Sequence, residues 1–192
     1  MTEGFEALLQ RVRAGDQSAA AELVRTYRPA LMRVIRVRLA NPRLRQLHGE
    51  SDVFQSVMGS FFVRAALGQY DLRTPEDLAR LLAVMVRNKV AEKARRRDVV
   101  RDAEPLDEPA SAPAAPDPGP SPSRVVAMRE LAAQARSRLS PELMAIVLLR
   151  DEQLGWNEIA ERVGGSPDAL RKRLTRAVDD IATALGVEDP HG

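Results

Sequence analysis

Residues 98–123 hold seven of the chain's 13 prolines, and Ala, Ser, Asp and Glu fill most of the other positions. A stretch so rich in proline and so poor in large apolar side chains cannot bury a core and favours an extended, flexible form. It divides the 192 residues into two units, 1–97 and 124–186, with a short tail, 187–192, expected to be disordered. At about 3.1 Å per residue in polyproline form, the 26-residue connector reaches roughly 80 Å. Two turns of a DNA duplex span about 70 Å. An idle tether is equally compatible with this composition.

Charge is segregated along the same boundaries. Residues 1–97 carry 18 Lys/Arg against 10 Asp/Glu, the connector one against six, and residues 124–192 ten against 11. The net charge of +2 therefore conceals a strongly basic first unit, which suggests contact with a polyanion. Scarce aromatics, at 4%, beside abundant Ala, Leu, Arg and Val favour an all-α chain of two small helical modules. Cysteine is absent, and His48 and His191 lie far apart, so the residues offer neither a disulfide framework nor a metal centre. No cofactor is expected. The N-terminus lacks a signal-peptide core and no apolar run reaches membrane-spanning length. The expected location is the cytoplasm, without membrane insertion.

In the second unit, residues 155–176 read GWNEIAERVGGSPDALRKRLTR. Trp156, Ile159, Ala160 and Val163 recur at i, i+3, i+4 and i+7, one apolar helix face. Gly164-Gly165 stops that helix. Ser166 then suits an N-cap, Pro167 the first helical position and Asp168 the positive end of the helix dipole. Leu170, Leu174, Ala177, Val178, Ile181 and Leu185 continue an apolar stripe, with Arg171, Lys172, Arg173 and Arg176 crowding the remaining surface. Capped helix, glycine turn and basic second helix form a helix-turn-helix pattern. The basic residues fit DNA or, equally simply, a solvated face. Upstream, helices are expected over 125–139 and from Pro141 to about Arg150, the latter capped by Ser140.

The first unit reads as successive helices. Phe5, Leu8, Leu9 and Val12 mark one; another starts near Asp16; Leu31, Val34, Ile35 and Leu39 mark a third, with Pro29 in or just before it. The stretch ESDVFQSVMGSFF follows, with Ser51 able to cap its helix. Val53, Val57 and Phe61 mark one face of it, and Phe54, Met58 and Phe62 an adjacent one. An arc so wide is either deeply buried or docks a partner with its second face. A loop over 68–75 carries Tyr70. A final helix from about Pro75 to Arg97 ends with five basic residues within 89–97, more than a helix dipole requires.

Together these units resemble the extracytoplasmic-function sigma factors of bacterial RNA polymerase. LSPELMAIVLLRDEQLGWNEIAERVGGSPDALRKRLTRA is similar to the family's fourth region, which reads the −35 element. SDVFQSVMGSFF resembles the part of the second region that docks the clamp helices of the polymerase largest subunit. LLAVMVRNKVAEKARRR resembles the segment that reads and opens the −10 element, with Arg87-Asn88 matching the family's Arg-Asn pair. DVFQSV and VRNKVA are similar to a subgroup common in planctomycete-type bacteria. Ser56 and Leu81 depart from the pattern, standing where the family often has Glu and an aromatic.

The resemblance implies the residues. Ser166, Asp168, Arg171, Lys172, Arg173 and Arg176 would serve the −35 duplex. Tyr70, Arg87, Asn88, Lys89, Lys93 and Arg96 would serve the −10 region, and Glu50, Asp52, Phe54, Gln55 and Met58 polymerase docking. Core RNA polymerase and promoter DNA are the implied partners, with an anti-sigma factor or kinase-linked regulator as a further possibility. The residues show no histidine–carboxylate pair, thiol or phosphate-cradling glycine loop, so no enzymatic role is expected. The competing readings are a helix-turn-helix regulator not associated with core polymerase, and a helical adaptor that binds only protein.

Overall fold

The computed structural model describes residues 2–39, 49–101 and 122–187. Among them are eight helices and no strand: α1 (Thr2–Arg13), α2 (Gln17–Arg38), α3 (Glu50–Ala66), α4 (Pro75–Arg101), α5 (Pro122–Ser137), α6 (Pro141–Asp151), α7 (Trp156–Val163) and α8 (Pro167–Ala184). The all-α expectation holds. Most of the connector, together with residues 40–48 and 188–192, lies outside the described residues.

Helix starts follow side-chain chemistry. The Asp16 carboxylate accepts from the Ser18 and Ala19 N–H groups and caps α2, Ser140 caps α6, and Ser166 caps α8. The Ser18 hydroxyl, the Ala19 N–H and Arg11 together hold the Asp16 carboxyl well below the usual carboxylate range. A depressed folded-state pKa contributes stability above the unfolded value of 3.8 that is lost as pH falls below it. The thermal midpoints of wild type and Asp16→Ala should therefore differ at neutral pH and converge on acidification below that value. A gap that stays constant down to acid pH would refute this role for the carboxylate.

Two boundaries differ from the sequence-based expectation. Helix α2 runs unbroken through Pro29, where two helices were expected. Leu23, Val24, Leu31, Met32 and Ile35 keep one buried face in register across the proline, and that packing outweighs the backbone hydrogen bond it removes. Helix α3 begins at Glu50 with Gly49 as its N-cap, so Ser51 lies inside the first turn rather than capping it. The Arg36 guanidinium holds Glu50 at 2.9 Å and helps to draw that residue into the helix.

The first core gathers Phe5, Leu9, Leu23, Ile35, Val53, Met58, Phe61, Leu82 and Val86, with Met128 of α5 joining from beyond the connector. The second gathers Ile146, Val147, Ile159, Leu174, Val178 and Ala182, and it takes in Val63 and Leu67 from the first unit. Helix α3 is the shared element. It packs against α1, α2 and α4 of its own unit and against α5 and α8 of the other. All residues from Val57 to Ala66 are buried, which accounts for its unusually wide apolar arc.

The end of α8 also departs from expectation. Val187 N–H donates to the Ala182 carbonyl and Gly186 N–H to that of Thr183, the paired bonds of a Schellman cap. Val187 is buried and approaches Gly59 of α3. The first residue of the expected tail is thus a packing residue, held by the helix end that precedes it.

Candidate nucleic-acid interface

Helices α7 and α8 pack as the two arms of the helix-turn-helix, joined through Gly164 and Gly165, both at positive φ. Leu170, Leu174, Val178, Ile181 and Ala182 are the buried face of α8. Arg171, Lys172, Arg173 and Arg176 are all exposed. Lys172, Arg173 and Arg176 line an open groove of about 520 Å³, with Leu143 and Ala169 on its floor. Arg173 is ion-paired to Glu142 of α6. Asp168 is exposed in the first turn, and the Ser166 hydroxyl is engaged in capping by accepting from the Ala169 N–H. The arm α7 is less buried than its periodicity suggests, because Val163 at its end is exposed.

The basic residues of α4 divide. Arg87 is exposed and Asn88 half-buried. Lys89 instead turns toward the buried Glu92 carboxylate at 2.9 Å and is itself largely covered. Lys93 is half-buried; burial pushes its pKa down, and the nearby Asp52 carboxylate opposes that shift. Asp52 on α3 thus lies near the basic end of α4. The Arg96 side chain lies outside the described residues.

Tyr70 follows α3 in the connecting loop. Its ring stacks on Phe61 with centroids 6.1 Å apart and planes 6° from parallel, and its hydroxyl faces the Met85 sulfur at 3.9 Å. The Tyr70 carbonyl accepts from Arg13 at 2.8 Å. The aromatic ring is therefore packed against the first core and only half exposed.

The start of α3 presents Glu50, Asp52 and Gln55 at least partly to solvent. Phe54 and Met58 behave differently: they are 4% and 0% exposed and belong to the first core. Arg28 covers the Phe54 ring at 5.6 Å. Alongside lies a second open groove of about 710 Å³, lined by Arg25, Arg28, Pro29, Met32, Arg33 and Arg36. In this arrangement the surface available at α3 is polar, and its two apolar candidates act as core residues.

A family model described as ECF sigma factor matches residues 2–185. The chain belongs to the ECF sigma factor family. It is accordingly an RNA polymerase sigma factor, a transcription initiation factor whose partners are core polymerase and promoter DNA. Searches of curated proteins and of solved structures returned no match. Among the described residues of the sigma factor, no helix is long and apolar enough to cross a membrane.

A set of residues that sequence reasoning passed over joins the two units. The Arg64 guanidinium, 1% exposed, donates to Asp179 of α8 at 2.5 Å and to Gln69 at 2.9 Å. Arg136 of α5 donates to the Ala66 carbonyl at 2.9 Å and pairs with Asp151 at 2.7 Å. Arg150 of α6, 5% exposed, donates to the Gly68 carbonyl at 3.4 Å, pairs with Asp71 and lies 5.0 Å over the Trp156 ring. A lone arginine in the apolar run FFVRAA, and another in IVLLRD, were the available signals. A charge in such a run must find a partner, but its spacing does not name one.

Proposed function

We propose that this sigma factor divides promoter recognition between its two units and docks core polymerase through the polar start of α3. The observation that carries the −35 assignment is the opposite placement of two residue sets on one helix. Lys172 and Arg176 are exposed with a groove beside them, whereas Leu170 and Leu174 are buried beneath. An exposed basic helix of this kind fits the major groove, where guanidinium and ammonium donors reach base edges and phosphates. Arg171 and Arg173 flank that face, and Asp168 and Ser166 order its first turn.

The −10 reading rests on Arg87, Asn88 and Lys93 of α4, with Tyr70 as the one aromatic at the adjoining loop. Holding a melted strand needs basic side chains along the backbone and a platform for bases. Tyr70 meets the second need only if its ring leaves Phe61. Glu50, Asp52 and Gln55 supply the polar docking surface, which suits a basic patch on the polymerase clamp helices. An anti-sigma factor or kinase-linked regulator would act by controlling access to these same surfaces. Chemistry on nucleotides belongs to the polymerase.

In-vitro transcription with core polymerase and a genomic library tests the reading and reports the promoter together. A triple Arg171/Lys172/Arg176 alanine variant should retain its helical circular dichroism yet lose promoter preference. A single base-edge contact is worth about 1–3 kcal/mol of discrimination. Leu174→Ala should instead destabilise the second unit by roughly 2–5 kcal/mol, since Leu174 is 1% exposed. Unchanged promoter preference in the triple variant would remove α8 from recognition.

A further inference from the structure

The C-terminal end of α3 is where the two units meet, and its backbone chemistry is unusual. A helix end leaves carbonyl groups without intrahelical partners. Here the Gly68 and Gln69 N–H groups return to the Ala65 and Arg64 carbonyls, which leaves Ala66 and Gly68 to be satisfied from elsewhere. Arg136 takes the Ala66 carbonyl and Arg150 the Gly68 carbonyl, both from the second unit. Cations at this end also complement the helix dipole. Gly68 is shaped to the contact: its φ is +69°, and an added Cβ would sit 3.0 Å from the Arg150 Cβ. Arg64 reaches the opposite way to Asp179, while Val63 and Leu67 enter the second core.

We infer that these arginines form a latch that holds the free sigma factor closed, and that the latch must open before the −10 and −35 elements can be engaged together. The inference rests on the promoter-reading roles given above for its consequence, and on the packing alone for its existence. Two geometric facts connect the latch to those roles. Arg150 grips Gly68 and Asp71, the residues that bracket Gln69-Tyr70, so the loop carrying Tyr70 is pinned by the unit that reads the distant element. Asp179 lies seven residues beyond Lys172 and three beyond Arg176, on the same side of α8, so α3 sits beside the DNA-reading face.

Distance makes the same demand. A compact chain of 192 residues has a radius of gyration of about 16 Å. Two reading surfaces in one such body cannot reach elements about two duplex turns, or roughly 70 Å, apart. Opening trades the Arg136 and Arg150 contacts for water and exposes Val63, Leu67 and Val187. The closed state thereby limits promoter binding in the absence of polymerase, and docking on polymerase supplies the energy that separates the units.

A disulfide can hold the latch shut. The chain contains no cysteine, and a Cβ at Gly59 would lie 3.5 Å from the Val187 Cγ1. That is within reach of an S–S bridge, whose Cβ atoms lie about 3.5–4.5 Å apart. The test compares one protein, Gly59→Cys with Val187→Cys, in its oxidised and reduced forms, so the substitutions themselves cancel. The bridge should form on mild oxidation. The oxidised form should initiate transcription with core polymerase at least about tenfold less than the reduced form, because its open fraction is removed. Reductant should restore activity.

Asp179→Arg, with circular dichroism as the fold check, places like charges at the latch. It should enlarge the particle in small-angle scattering and, introduced into the cysteine pair, slow bridge formation. Failure of the bridge to form, or equal initiation by both forms, would overturn the latch. If the reduced protein and wild type support no initiation, the promoter-reading roles fail instead. Bridge formation and its dependence on Asp179 then still decide whether the closed state exists.

Discussion

Phe61→Ala is expected to cost about 3–5 kcal/mol, a large share of the stability of a domain of this size. Phe61 is completely buried on α3, edge-on to Phe62 at 5.5 Å and stacked against Tyr70 at 6.1 Å. Its removal leaves a cavity at the centre of the first core and takes away the surface on which the Tyr70 ring rests. The loss should appear as a lowered denaturant midpoint in a circular dichroism titration of the full chain. Tyr70→Ala should cost less, because that ring is half exposed at the core's edge. Equal losses for the two variants would show that Phe61 is not the centre of this packing.

Asp52→Arg should remove core polymerase from the factor while leaving its fold intact. Asp52 is exposed in the first turn of α3, so the substitution creates no cavity. It introduces a cation near the positive end of the helix, an effect of about 0.3–1 kcal/mol, and close to Lys93. Against a basic docking surface, the same change converts attraction into repulsion, and binding should fall by more than about tenfold. A pull-down of core polymerase by wild type and variant, each checked by circular dichroism, reads this directly. Ser56→Glu should bind as well as wild type or better. A folded Asp52→Arg protein that retains polymerase would place docking elsewhere on the chain.

The helices, their approximate ends and the helix-turn-helix were legible because each depends on neighbours in sequence. Apolar spacing marked the buried stripe of α8, and the Ser140 and Ser166 caps form as their positions indicated. Pro29 was read too literally, since its cost to a helix is local while the buried face that overrides it extends over five turns. Phe54 and Met58 show the opposite failure. The width of the apolar arc on α3 was visible, but whether a partner or the chain itself covers it depends on tertiary packing. Met128 of α5 supplies part of that cover from beyond the proline-rich segment. The arginine contacts at the unit boundary were invisible for the same reason: Arg64 and Asp179 are 115 positions apart.

The close fit of Gly68 beneath Arg150 bears on how such factors could be recombined. Exchanging the second unit for that of a related factor is an obvious route to a new promoter preference. Position 68 has no room for a side chain while an extended residue at position 150 lies over it, so the two sites form one heritable pair 82 residues apart. A chimera that separates them would bring either a methyl group into an occupied space or a shorter residue over an empty one. Its altered activity would then reflect a misfitted joint, and would be mistaken for a change in the DNA it reads.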